Sequence, residues 1–162
     1  MIIHVKNKNT LKIDDFNLKC CIGKNGLNYN KKEGDYSTPK GVFNLKKLYF
    51  RKDRVGSPKC KLDKKAIKQN MAWCDDPNHT KYNEEIKTSN KKLKENLWRK
   101  DHKYDYVISI SHNEKKIPNK GSAIFIHLTD DYKPTAGCLA LRKKDFEILL
   151  KLIDKKTKIK IS

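Results

Sequence analysis

Cys138 ends the run Thr135-Ala136-Gly137-Cys138, and His127 lies upstream of it with ten residues between them. A thiol is mostly protonated at neutral pH, so a cysteine that attacks a carbonyl needs a neighbouring base or a field that favours the thiolate. His127 is the nearest base in the sequence. The stretch from Leu128 to Gly137, with Asp130, Asp131 and Pro134, is long enough to turn back and bring the two side chains within hydrogen-bond reach. Ala136 and Gly137 are small enough for a substrate to approach the backbone, where the N–H groups of Gly137 and Cys138 are expected to cradle an oxyanion. The chemistry this describes is nucleophilic acyl transfer. On residue types alone, an inert buried thiol and a satisfied strand-end histidine are the commoner arrangement, and the pair by itself leaves both readings open.

Other candidates weigh less. Ser111-His112-Asn113 brings a second imidazole towards the same end of the molecule, with a structural role as probable as a substrate contact. Trp73, Asp75 and Tyr82 are candidates to line a site, although Asp75-Asp76-Pro77 is equally an ordinary turn. Cys74 has an acidic neighbour that disfavours its thiolate, and the adjacent Cys20 and Cys21 point to opposite faces of a strand, so at least one belongs to a core. The five cysteines have no C-x-x-C spacing and no nearby histidine pair, so no metal site is expected; their odd number and irregular spacing argue against a full disulfide framework.

The elements that must position these residues are short strands. Ile2 to Val5, a strand from Leu11, Leu18 to Ile22, Val42 to Leu48, Tyr106 to Ile110 and Ala123 to Ile126 have strand length and β-branched content. A Gly-rich loop from Gly23 to Gly41 precedes the fourth of them. Phe146, Leu149, Leu150 and Ile153 fall at i, i+3, i+4 and i+7, which predicts a C-terminal helix, and Lys158 to Ile161 predicts a closing strand. Residues 51–105 are highly charged with little period; they are expected to form an irregular lid or insertion with one short helix near Leu93 to Trp98. The whole chain is expected to be one mainly β domain, sandwich- or barrel-like.

Charge bounds the partners. The 162 residues carry 38 basic and 19 acidic side chains, a net charge of +19. Of the basic residues only four are Arg (Arg51, Arg54, Arg99 and Arg142), whereas nucleic-acid recognition favours the bidentate Arg fork, and the Lys are spread along the chain without a block. A Lys-rich solvated surface is the simpler account, and a basic nucleic-acid module is kept as the rival from another class. No run of about 18 apolar residues is present, and the polar stretch after Val5 leaves no apolar segment of a secretory signal.

Taken in order, Gly23-Lys24, Thr38-Pro39-Lys40-Gly41-Val42-Phe43, Ile126-His127, Gly137-Cys138-Leu139 and the helix from Asp145 resemble the L,D-transpeptidase catalytic domain, the YkuD-like family, over residues 1–50 and 106–162. The resemblance implies that Cys138 forms a thioester with a peptidoglycan stem peptide. His127 then serves as the base, Thr135, Ala136 and Gly137 form the oxyanion turn, and no metal or organic cofactor is needed. It departs from the family pattern at Leu128, where Gly is usual, and at Ala140, where Arg is usual; Arg142 is the nearest Arg, which leaves carboxylate recognition to be assigned. A Cys/His peptidase or L,D-carboxypeptidase would use the same residues, with water taking the thioester. The substrate implies the cell envelope or periplasm, the start of the sequence supplies no export address, and a cytoplasmic location stays open beside it. The oligomeric state is not legible from the sequence.

Overall fold

A computed structural model describes residues 1–89 and 94–162. Along the chain lie β1 (Ile2–Lys6), β2 (Thr10–Ile13), β3 (Phe16–Cys21), β4 (Leu27–Asn28), β5 (Thr38–Pro39), β6 (Gly41–Phe50) and the one-turn helix α1 (Lys52–Val55). There follow β7 (Asp63–Ala66), β8 (Met71–Cys74), β9 (Glu85–Lys87), β10 (Lys94–Asn96), β11 (Tyr106–Ile110), β12 (Phe125–Leu128), β13 (Leu139–Leu141), α2 (Lys143–Leu152) and β14 (Lys158–Ile161).

Period-two alternation explains the ring of strands. Ile3 and Val5 of β1, Leu11 and Ile13 of β2, and Ile159 and Ile161 of β14 point inward and are buried, while Lys6, Lys12, Lys158 and Lys160 point to water. These four lysines are thus the solvated half of an alternating pattern. The main sheet runs β11-β12-β13-β3-β2-β1-β14-β6-β7, and β6 also pairs with β11, so the strands close into a barrel-like ring. The register shifts between Ile108 and Ile110, where β6 and β11 are offset by a bulge. The predicted helix is α2: Phe146, Leu149 and Leu150 are buried in the main core beside Ile153, and Phe146 stacks on Tyr106 with ring centroids 5.4 Å apart. No helix among the described residues is long and apolar enough to cross a membrane.

Residues 51–105 differ from the expectation. They add β7 to the main sheet and form a separate antiparallel sheet, β10-β8-β9. Residues 94–96 are a strand, so the short helix expected over 93–98 is not formed there; residue 93 lies outside the described residues. The absence of a visible period follows from strand length, since β8, β9 and β10 are three or four residues each. The added sheet is anchored by a second core of Tyr49, Ile67, Met71, Leu97, Tyr104, Val107, Phe125 and Cys138, against which Trp73 and Trp98 pack. This core lies on the face of β12 opposite the main core. The segment read as a lid therefore covers the face that carries Cys138.

Candidate active site

Two neighbouring parallel strands bring the proposed nucleophile and base together. In the β12–β13 ladder Ile126 faces Leu139 and His127 faces Ala140. Ile126, Leu128, Leu139 and Leu141 point into the main core, so alternation sends Phe125, His127, Ala140 and Cys138 to the other face. Strand register thus turns histidine and cysteine to the same cavity.

The Cys138 thiol is held at both ends: it accepts a hydrogen bond from the Phe125 N–H (3.3 Å) and donates to the Ala123 carbonyl (3.2 Å). Nδ1 of His127 lies 2.8 Å from the Leu128 carbonyl. A carbonyl only accepts, so Nδ1 carries the proton and Nε2 presents a lone pair. The Tyr104 ring packs edge-on against the imidazole at 5.2 Å, and the Tyr104 hydroxyl donates to Glu95 at 2.7 Å. Burial pushes the Cys138 thiol up to about 12, opposed by the Phe125 N–H, with Glu95 adding to the rise and Lys31 opposing it. Burial pushes His127 down to about 4, against the Leu128 carbonyl bond; Lys103 and Arg99 push the same way as burial. Both groups therefore rest neutral at pH 7. The direct thiol–imidazole hydrogen bond expected from the sequence is not the contact made, because the thiol proton is given to Ala123.

A reactivity prediction follows. At pH 7.5 iodoacetamide should alkylate Cys138 about 10³-fold more slowly than an unperturbed thiol, and the rate should rise about tenfold per pH unit up to pH 10. Peptide mapping of the alkylated site measures this. A rate that levels off near pH 8 would contradict it.

The turn before Cys138 is braced from the Gly-rich loop. Thr38, fully buried, accepts from the Gly23 N–H and donates to the Gly137 carbonyl, both at 2.8 Å. Gly137 has φ +146°, and a Cβ there would lie 2.8 Å from the Ser37 carbonyl oxygen; a Cβ on Gly23 would lie 2.5 Å from the Tyr36 carbonyl oxygen. Only glycines allow the two backbones to approach this closely. Thr135 hydrogen-bonds twice within the turn, accepting from the Gly137 N–H (3.1 Å) and donating to the Cys138 carbonyl (2.6 Å). The Gly137 N–H is thus engaged by Thr135, which corrects the expectation that it faces an oxyanion. Thr38→Val keeps the shape and removes both bonds, leaving a buried N–H and carbonyl unpaired. It should cost about 2–3 kcal/mol in urea unfolding, and a loss below about 0.5 kcal/mol would contradict the brace.

Cys138 lines a cavity of about 240 Å³ together with His127, Thr135, Ala136, Gly137 and Asp75. The other expected site residues lie elsewhere. Tyr82 is buried, with its hydroxyl on Glu33 (2.5 Å), and Trp73 donates to Asn83 (2.9 Å) and packs against Phe125. His112 sits over Phe43 with Nε2 on the Lys120 carbonyl, the bonded structural arrangement weighed above. Arg142 is exposed at the start of α2, with its guanidinium over Tyr132. Trp73 and His112 line a separate cavity behind Phe125. Sequence reasoning missed Lys31, Glu33, Glu95 and Tyr104, which complete the walls of the thiol cavity. Lys31 is buried and bonded to Asp35 and to the Lys32 carbonyl. Burial raises Cys74 and Cys20 as it raises Cys138, and what separates Cys138 from the other four free cysteines is that none of them lines this cavity. Among the described residues no group of three His, Cys, Asp or Glu is placed to hold a metal.

Comparison with known proteins places the fold and the family. The fold is similar to that of the helical cell shape determining protein Pgp2 from Campylobacter jejuni, with TM-score 0.55 and 19% identity over 99% of this chain and 46% of that one. A lysine-to-alanine variant of Pgp2 gives TM-score 0.53, also at 19% identity, covering 99% of this chain and 46% of that one. The chain spans less than half the length of these structures. No curated protein matches it. The YkuD profile, the L,D-transpeptidase catalytic domain, matches residues 2–161. With nearly its whole length matched, the chain belongs to the L,D-transpeptidase catalytic domain family.

Proposed function

We propose that this domain is a cysteine-dependent acyltransferase acting on peptidoglycan stem peptides in the cell envelope. The Cys138 sulfur attacks the carbonyl that precedes a terminal D-residue while its proton passes to Nε2 of His127. The tetrahedral oxyanion collapses, the C–N bond breaks, and His127 returns the proton to the leaving amine. A thioester remains. An amine of a second stem, or water, then attacks it, with His127 again taking and returning the proton.

The observation that carries this reading is a thiol and an imidazole lining one cavity, with Nδ1 of the imidazole held by the Leu128 carbonyl and Nε2 making no hydrogen bond among the described residues. A thiol near 12 and an imidazole near 4 do not form a resting ion pair. Proton transfer therefore accompanies attack, as the sulfur turns from Ala123 towards His127. The backbone N–H of Cys138 is the donor we assign to the oxyanion, with Thr135 steadying the turn.

The test is purified protein incubated with disaccharide stem fragments, with products separated and weighed. Release of the terminal residue is expected. Cross-linked dimers would assign the second step to transfer and trimmed stems alone to hydrolysis. Unchanged fragments would overturn the proposal.

A further inference from the structure

The usual Arg beside the nucleophile is absent here, and Ala140 occupies its place. The structure shows what that small side chain leaves. A second cavity of about 240 Å³ lies on the imidazole side of the site, lined by Ala140, His127, Arg99, Lys103, Lys133 and Asp131 among others. It shares His127, Tyr104, Thr135 and Ala136 with the thiol cavity, so the two open on either side of the base. Their charges are opposite. The thiol side carries the carboxylates of Glu33, Asp75 and Glu95 and one cation, Lys31, which is already paired with Asp35. The imidazole side carries three cations against one carboxylate.

These cations are not equivalent. Arg99 is committed to Asp101, with Nε–Oδ1 2.9 Å and Nη2–Oδ2 2.7 Å, and lies over the Tyr104 ring. Lys133 pairs with Asp131 at 3.3 Å. Lys103 makes no ion pair among the described residues, and its backbone fixes its place: its N–H donates to Asp101 and its carbonyl accepts from the Leu128 N–H, one residue from the base.

We propose that Lys103 is the specificity residue that binds the carboxylate of the leaving D-residue in the cavity beside Ala140. The inference rests on the acyl-transfer reading above. In that reaction the leaving residue's carboxylate is separated from the scissile nitrogen by one Cα, which puts it within about 4 Å of the attacked carbonyl. The nitrogen must face His127 to receive its proton. The carboxylate then enters the cavity on the imidazole side, where Lys103 meets it, and is repelled from the carboxylate-lined thiol side. The acyl part of the stem takes the thiol cavity, where Asp75 makes no ion pair among the described residues and suits a substrate ammonium.

The test compares two stems that differ only at the C-terminus, one a free carboxylate and one a primary amide. Wild type should prefer the acid by about 10-fold or more in kcat/KM, as befits a hydrogen bond to a charged group. Lys103→Met should remove most of that preference by slowing the acid alone, and Lys103→Arg should restore it. Because Lys103 also acts on the charge of His127, a purely electrostatic role would slow acid and amide equally, so the ratio is the readout. A Lys103→Met enzyme that keeps the wild-type preference would overturn the proposal. If wild type processes neither stem through Cys138, the acyl-transfer reading falls and this inference with it.

Discussion

Cys138→Ser is expected to lower turnover of stem peptides by about 10⁴-fold or more while leaving the urea midpoint within the range of an ordinary conservative substitution. The hydroxyl keeps a donor for the Ala123 carbonyl and an acceptor for the Phe125 N–H, the two bonds that hold the thiol. The braces of the turn, Thr38 to Gly137 and Thr135 to Cys138, are backbone contacts that the substitution does not touch. The fold therefore survives and the nucleophile is lost. Cys138→Ala should be as inactive and somewhat less stable, because the Phe125 N–H loses its partner in a buried site. Activity in either variant above about 1% of wild type would mean that another group forms the acyl-enzyme. The remaining cysteines are poor substitutes, since Cys20, Cys21, Cys60 and Cys74 all lie outside the cavity that Cys138 and His127 line.

His127→Gln carries the second large effect. As the proposed base for both steps, His127 should contribute about 10²- to 10⁴-fold to kcat/KM. It should also mark the pH dependence of folding. Its folded value, near 4, is depressed from the ordinary 6.5, so between these values the unfolded chain binds more protons than the folded one. Stability from this residue is complete above pH 6.5 and lost as pH falls towards 4, to the extent of about 3 kcal/mol. Other groups titrate in the same range, so the measurement is the difference between wild type and His127→Gln. Wild type should lose about 3 kcal/mol more than the variant between pH 6.5 and 4. Parallel curves would mean that the imidazole is solvated or already paired. Cys138 should act on the opposite side: a raised thiol stabilises below its ordinary 9.0, and that contribution declines as pH climbs towards 12.

Much of this architecture was legible where the pattern is local. Alternation in Ile2 to Val5 and Lys158 to Ile161, and the four-residue stripe from Phe146, identify elements that the structure contains, since each depends only on which residues must leave water. The pairing of a histidine strand with the Gly-Cys turn was legible as a motif. Its mechanism was not, because it depends on the parallel register that puts His127 opposite Ala140. Residues 51–105 were misread for a physical reason: strands as short as Lys94–Asn96 have no period to detect, and their stability comes from Leu97, Tyr104 and Met71 packing on a sheet formed by distant sequence. The same distance hid Lys31, Glu33, Glu95 and Tyr104. Each comes from a loop or segment far from Cys138 in the chain, Lys31 and Glu33 from the Gly-rich loop and Glu95 and Tyr104 from the segment around the second sheet, and only the folded chain brings them to one cavity. Tyr82 and Trp73 show the converse. Aromatic residues near an Asp-Asp-Pro turn suggest a binding platform, yet here they brace loops through Glu33 and Asn83. The Thr38 brace was visible as part of a motif, while its work of tying the Gly23 loop to Gly137, 99 residues beyond Thr38, required the fold.

The central claim, that Cys138 becomes acylated, is tested most directly with a carbapenem, whose strained β-lactam carbonyl traps a nucleophilic thiol as a stable acyl-enzyme. Intact mass followed by peptide mapping should find one adduct, on the peptide containing Cys138, absent from Cys138→Ser and formed far more slowly in His127→Gln. Folded protein that acquires no adduct, or carries it on Cys20, Cys21, Cys60 or Cys74, would contradict the account.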